Sequence, residues 1–287
     1  MRLFLLTALT MMAFAANSVL NRAALAGGGI GPEAFGTIRL LSGAGVLLVL
    51  ALVLRRRETV AGPGRIPGVA GLLLYIYGFS AAYVALDAGA GALILFGVVQ
   101  VTMFAGALLG GERPPARRWI GAVLAFAGLS WLLWPGADAV VSLRHGLTMA
   151  AAGLGWGVYS LAGRKARDPL FSTAANFVLA APLGLFIGAV VVPSPSDIVM
   201  TGAGIVLAVV SGAVTSGLGY ALWYSVLPQL PGTVAAVAQL TVPVIAALGG
   251  VIVLGEGVSP ALLAAAGLVL GGVAISVLPL PRWRPRG

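Results

Sequence analysis

Apolar residues run along this chain in blocks, set apart by short polar breaks that hold nearly all of its charge. A run of about 20 residues with few charges reads as a membrane-spanning helix. Only a helix satisfies its own backbone polar groups in hydrocarbon. Ten such spans are predicted, at 3–23, 31–54, 67–87, 89–110, 118–135, 146–163, 170–193, 201–227, 231–254 and 259–279. The tight breaks Asp87–Gly89 and Gln229–Pro231 join neighbouring spans as helical hairpins. The first run follows only Met1 and Arg2, as a signal peptide would, but the many runs after it make it a first transmembrane helix.

One block occurs twice. Gly106 to Pro135 and Gly250 to Pro279, 144 residues later, coincide without a gap at Gly106/Gly250, Gly111/Gly255, Glu112/Glu256, Ala122/Ala266, Leu124/Leu268, Gly128/Gly272 and Pro135/Pro279. Each copy is an apolar run, a Gly-Glu break and a second apolar run ending in proline. A shift of 142 aligns the first span with the sixth at Ala8/Ala150, Phe14/Trp156, Ser18/Ser160 and Arg22/Arg164. A shift of 137 aligns the second with the seventh at Pro32/Pro169, with Arg39 opposite Asn176. The predicted fold is an all-α polytopic membrane protein of ten transmembrane helices in two five-helix repeats, 1–137 and 145–280, with a basic cytoplasmic tail at 281–287. Five is odd, so the second repeat enters the membrane inverted. Such repeats are a transporter architecture, with the binding site near the midplane between the halves.

Composition supports lipid as the solvent. Hydrophobic residues make up 60% and charged residues 9%, with a mean hydropathy of +1.05, whereas soluble domains carry about 25% charged residues. There is no cysteine, which excludes disulfides and thiolate metal sites. The net charge of +9 does not point to nucleic acid, because the basic residues cluster between apolar runs. With the N-terminus inside, cytoplasmic segments hold Arg2; Arg55, Arg56, Arg57 and Arg65; Arg113, Arg117 and Arg118; Arg164, Lys165 and Arg167; and Arg282, Arg284 and Arg286. Only Arg22, Arg39 and Arg144 remain. This bias requires an even number of spans and puts both termini in the cytoplasm. Trp119, Trp131 and Trp134 fit interfacial anchors near the ends of span five.

Arg39 lies eight residues past Gly31, about 12 Å along a helix and so near mid-membrane. An arginine there costs about 2.5–3.5 kcal/mol and by default marks function. One reading has it attract a substrate carboxylate into a cavity. The other has it donate to backbone carbonyls of a neighbouring helix, which suits its five fixed donors equally. The second fits a broad exporter better, since a permanent cation in an open cavity would restrict transport to anions. All eight acidic residues, Glu33, Glu58, Asp87, Glu112, Asp138, Asp168, Asp197 and Glu256, fall in loops or at helix ends, and the single histidine, His145, is also in a loop. No intramembrane carboxylate is placed to carry a proton, which favours gradient-driven movement; Asp87 is the nearest exception. Glu112 and Glu256 repeat in register but fall on opposite sides of the membrane, so each is expected to cap its following helix or pair locally, Glu112 with Arg113 or Arg117.

The cavity lining is drawn from polar and aromatic residues inside spans: Asn17, Arg39, Tyr77, Ser80, Tyr83, Gln100, Trp156, Tyr159, Tyr220, Trp223, Gln239 and Thr241, with Tyr75, Thr102 and Tyr224 in the wider set. Gly106/Gly110 and Gly267/Gly271 have the spacing that lets helices approach closely, and Pro243 is the hinge candidate.

Together the two-times-five plan, the arginine early in span two and the Gly-Glu followed by a glycine-rich helix in both halves resemble the EamA branch of the drug/metabolite transporter superfamily. The chain is most similar to YddG-type amino-acid exporters. The resemblance implies a ten-helix carrier of the bacterial inner membrane, multi-pass with cytoplasmic termini, exporting small metabolites, with amino acids including aromatic ones the leading class. It implies no cofactor and no ATPase subunit; a GxxxxGK[ST] loop is absent from the sequence. The partners expected are a small-molecule substrate and the lipid bilayer, with no nucleic acid. Family members often carry a proline midway along both the fourth and ninth spans. Here the ninth has Pro243, but its repeat partner is Val99, followed by Gln100. A permease for drugs or other metabolites is the alternative within transport. A membrane-embedded enzyme lacks a nucleophile–base or metal set, and a channel lacks a polar stripe.

Overall fold

In the computed structural model, which describes residues 1–54, 60–62, 64–134, 141–163, 166–191, 200–230 and 232–277, the predicted spans are helices. They are α1 (Arg2–Leu25), α2 (Pro32–Val53), α3 (Arg65–Tyr83), α4 (Ala88–Leu109), α5 (Ala116–Leu132), α6 (Leu143–Gly163) and α7 (Pro169–Val191), then α8 (Gly202–Val210), α9 (Gly219–Val226), α10 (Gly232–Gln239), α11 (Thr241–Gly249) and α12 (Pro260–Val277). Helices α2, α7 and α12 start with proline at the first position, where the missing N–H costs nothing and the fixed φ suits the helix. Among the described residues, six helices are long and apolar enough to cross a membrane: Arg2–Leu25, Pro32–Val53, Arg65–Tyr83, Ala88–Leu109, Pro169–Val190 and Gly202–Gln229. Thr241–Leu254 and Pro260–Ser276 are shorter apolar helices. Arg55, Arg56, Arg57, Glu58, Pro135, Asp138, Arg164, Lys165, Asp197, Pro231, Pro279 and the tail 281–287 lie outside the described residues.

Apolar side chains cover the outside of the bundle as well as filling its core. Large apolar side chains such as Leu52, Phe126, Phe186 and Ile252 point outward. The interior encloses Asn17, Asn21, Arg39, Ser80, Asn176, Ser211, Thr215 and Ser216. Lipid solvates the apolar belt, and polar groups are satisfied by one another inside.

Helix α3 packs most extensively on α6, α5 on α12, α2 on α7 and α4 on α6. The closest seams form where backbones touch. A Cβ on Gly71 would come within 2.6 Å of the Gly155 carbonyl oxygen, and one on Gly155 within 2.7 Å of the Gly71 oxygen. Gly121 and Gly272 meet in the same way between α5 and α12. The expected Gly267/Gly271 seam is not one of these: a Cβ on either glycine would meet nothing within 4 Å among the described residues. Four-residue spacing puts two glycines on one face, but only packing decides which face, and Gly272 next door is the one turned inward.

Two spans depart from plain α-helix. Between α8 and α9, Ser211–Leu218 is π-helical within one continuous helix. Span nine breaks at Leu240 between α10 and α11, three residues before buried Pro243, and is π-helical again at Gly250–Leu254. Its counterpart α4 runs unbroken through Val99 and Gln100, as the lone proline predicts.

Candidate functional site

Arg39 enters the site because a glycine lets its helix come close. A Cβ on Gly212 would collide with the Arg39 carbonyl and Ser42 Oγ, so only glycine allows α2 to lie directly on the π-helical stretch. The wider π turn, with its i→i+5 register, brings Ser211 and Ser216 inward together with Thr215, and all three are buried. Arg39 is fully buried. Its Nε donates to Ser216 Oγ at 3.1 Å and its Nη2 to the Tyr75 hydroxyl at 2.7 Å. The guanidinium lies 4.9 Å from the Tyr75 ring centroid and 5.0 Å from that of Phe79. It is held by side chains rather than by the backbone carbonyls expected from sequence. Nη1 is buried with no hydrogen-bond partner among the described residues.

Helix α1 presents Asn17 and Asn21 one turn apart. Asn17 Nδ2 donates to the Tyr75 hydroxyl at 3.2 Å. Its Oδ1 accepts from Ser211 Oγ and from Thr215 Oγ1, the latter at 3.1 Å. Asn21 Nδ2 donates to the Asn17 carbonyl at 2.8 Å, and Ser80 Oγ donates to Asn21 Oδ1 at 3.2 Å. The Tyr220 and Tyr75 hydroxyls lie 3.4 Å apart.

Aromatic rings wall this network. Trp156 contacts Tyr75 at 4.8 Å, Tyr220 at 5.1 Å and Tyr159 at 5.2 Å between centroids, and Phe14 meets Tyr220 edge-on at 5.7 Å. Phe14 also touches Trp223. Between Phe14, Asn17, Tyr75, Phe79, Trp156 and Tyr220 lies a void of about 20 Å³. It has room for little more than one water. A second cavity of about 310 Å³ lies toward the end of the bundle opposite Arg22, lined by Leu50, Leu54, Pro169, Leu170, Ala221 and Tyr224 among others. Tyr224 lines this larger cavity, and Tyr159, whose hydroxyl donates to Thr173 Oγ1 at 2.9 Å, stacks on Trp156 of the smaller void.

Of the sequence candidates, the structure brings together Asn17, Arg39, Ser80, Trp156, Tyr159, Tyr220 and Trp223. Tyr83 is buried beside them, edge-on to Phe79, with its hydroxyl on the Ala88 carbonyl. Tyr77 lies apart between α2 and α7, bonded to Gly184 O and Thr37 Oγ1. Gln100 and Gln239 are half-buried, and Thr241 is exposed, with its hydroxyl on the Ala238 carbonyl. Phe14, Phe79, Ser211, Thr215 and Ser216 were outside the candidate set. Hydroxyls and phenylalanines are common in spans, and nothing in spacing separates inward from lipid-facing copies.

A charged cluster closes the Arg22 end. Arg22 Nε donates to Glu256 Oε1 at 3.1 Å, Nη2 reaches Asp87 at 3.4 Å, and Nη1 donates to the Tyr83 and Val84 carbonyls. Glu256 Oε2 accepts from the Ala88 backbone N–H at 2.8 Å. Glu256 thus caps the start of α4 across the fold rather than the helix that follows it, because the positive left-handed turn at Gly255 aims it back. Burial pushes its carboxyl above the ordinary value, with Asp87 adding to the rise and the Ala88 N–H and Arg22 pulling it back. Glu112 pairs with Arg118 at 3.6 Å. No group of three metal-ligating side chains occurs among the described residues.

The chain is 47% identical over 278 residues to the uncharacterized protein PA1977 of Pseudomonas aeruginosa, spanning 97% of this chain and 95% of that one. It is 28% identical over 258 residues to the uncharacterized transporter YwfM of Bacillus subtilis, spanning 86% and 85%. A crystal structure of a protein 20% identical superposes with a TM-score of 0.66 over 96% of this chain and 97% of that chain, which shows a shared fold. The EamA-like transporter family profile matches residues 145–278, in the second half, where the Gly-Glu and glycine-rich helix recur. The chain belongs to the EamA-like transporter family and is a multi-pass membrane transporter.

Proposed function

We propose that this protein is an inner-membrane secondary transporter that exports small metabolites, amino acids including aromatic ones first among them. Substrate passes by alternating access through a central cavity between two inverted five-helix repeats. The observation that carries this reading is the buried polar and aromatic cluster around Tyr75, to which α1, α2 and α3 contribute from the first half and α6, the π-helical stretch and α9 from the second. Small-molecule sites combine such apolar walls with a few placed polar groups.

Helix pairing supports the inverted arrangement. The repeat makes α2 equivalent to α7 and α5 to α12, and both equivalents pack on each other. The α3–α6 contact is answered by α1 against the Gly202–Gln229 helix, and α4–α6 by α1 against α11. A two-fold axis in the membrane plane generates this pattern. With cytoplasmic termini, the Arg22–Glu256 cluster seals the outer end and the larger cavity lies toward the cytoplasm. The break at Leu240 with Pro243 supplies a hinge.

Counterflow of radiolabelled amino acids in liposomes containing only this protein tests the reading. Uptake competed by several neutral amino acids and indifferent to a pH gradient is the expected outcome. If no amino acid is taken up, the substrate class is wrong, and drugs or other metabolites replace it. Reporter fusions at the C-terminus should report a cytoplasmic location; an external one would overturn the orientation.

A further inference from the structure

We propose that the central cavity selects substrates by a carboxylate, whose charge Arg39 neutralises and whose oxygens accept from the Tyr75 hydroxyl and the Asn17 amide. The inference rests on the transport reading above and narrows it to anionic and zwitterionic carboxylates, excluding cations.

Charge is the first argument. Arg39 is a fully buried cation whose partners among the described residues are all neutral: Ser216, the Tyr75 hydroxyl, the nearby Tyr220, and the faces of Tyr75 and Phe79. The acidic side chains given partners are engaged elsewhere. Asp87 and Glu256 pair with Arg22, Glu112 with Arg118, and Asp168 accepts from the Phe171 N–H. A buried charge without a counter-charge is expensive. Nη1 in addition carries hydrogens that no described residue accepts. An anion in the void lined by Tyr75 and Phe79, the rings against which the guanidinium lies, would supply the missing counter-charge.

Proton inventory is the second. Arg39 can only donate. The Asn17 amide is oriented by Ser211 and Thr215, which hold its Oδ1, so Nδ2 faces Tyr75. The Tyr75 oxygen therefore accepts from Arg39 and Asn17, and also from the Tyr220 hydroxyl at 3.4 Å. That leaves the Tyr75 proton, together with the second Asn17 N–H, available to the void both residues line. The polar side of the void is thus built of donors backed by a positive charge. Carboxylates match that surface, whereas an ammonium finds no carboxylate there. The amine of a zwitterion would instead lie over the Trp156 and Phe14 rings, as cations do on aromatic faces. At about 20 Å³ the void is closed in this conformation, so ligand binding must part these rings.

The test uses purified full-length protein in two formats. In counterflow, phenylalanine, 3-phenylpropionate, phenylalaninamide and phenethylamine compete for labelled phenylalanine. The two carboxylates should compete at least roughly tenfold better than the two carboxylate-free amines, a 1.4 kcal/mol preference. Thermal stabilisation in detergent by the same four compounds and by aliphatic carboxylate–amine pairs reads selectivity independently of transport. There only carboxylates should stabilise. Arg39→Lys keeps the charge and should keep the carboxylate-over-amine order, while Arg39→Gln should lose it. Equal action of amines and carboxylates, or no stabilisation by any carboxylate, overturns the inference. Selective stabilisation by carboxylates without amino-acid counterflow would sustain it and sink the amino-acid reading alone.

Discussion

Tyr75 is the residue on which the interior depends, because three elements meet at one oxygen. Its hydroxyl takes a hydrogen bond from Arg39 and one from Asn17, and both donors are buried. Tyr75→Phe would keep the ring contacts with Phe79 and Trp156 and strand those donors. Each stranded donor costs about 1–3 kcal/mol, so the variant should unfold well below the wild type in detergent. A change at exposed Ser225 should stay within about 0.5 kcal/mol. If Tyr75→Phe melts like the Ser225 variant, the network is not a structural unit. Arg39 was legible as an anomaly from its place in an apolar run. Its partners were not, since Ser216 lies 177 positions away in the chain and hydroxyls carry no periodic signal.

At the scale of elements, glycine seams and the charged cluster set what can move. Gly155→Leu places a side chain against the Gly71 carbonyl and the Tyr75 backbone N, 2.7 and 2.8 Å from the new Cβ. Backbone cannot yield as a side-chain tip does, so α3 and α6 must separate at a cost of about 1–3 kcal/mol or more. Gly267→Leu, facing open space, should be tolerated. Melting temperatures of the pair check this, and equal destabilisation would mean the seam is misplaced. The cluster at Arg22 gives a pH dependence. Burial raises the Glu256 carboxyl, so the folded, closed arrangement binds its proton more tightly than a water-exposed form does. Stability from this group is then fully present below the ordinary value of 4.5 and is lost as pH rises through the raised one. Wild type minus Glu256→Gln stability should therefore fall from acid to neutral pH. A difference that is flat, or that grows toward neutrality, would show that the ion pair with Arg22 outweighs burial.

For the molecule as a whole, the closed centre and the ion-paired Arg22 end are one conformation of the alternating-access cycle proposed above. Breaking the seal with Arg22→Ala should raise labelling of a cysteine placed at Phe14 by a membrane-impermeant thiol reagent added outside, because Arg22 ties α1 to Tyr83, Val84, Asp87 and Glu256 at once. Unchanged labelling would place the barrier deeper, at the aromatic wall. The sequence by itself determined the membrane class, the helix positions and the asymmetry between α4 and the broken span nine. Those follow from local rules: apolar length, charge placement and the presence or absence of proline. It also marked Arg39, Asn17, Trp156 and Tyr220 as inward residues, because polar or amphipathic groups in lipid need partners. Only the tertiary structure decided which hydroxyls join Arg39, that Glu256 reaches across to cap α4, and that Gly71 and Gly155, rather than Gly267 and Gly271, form a seam. These depend on which face of each helix turns inward. In a chain apolar on nearly every face, packing between distant helices sets that rotation, and no local periodicity does.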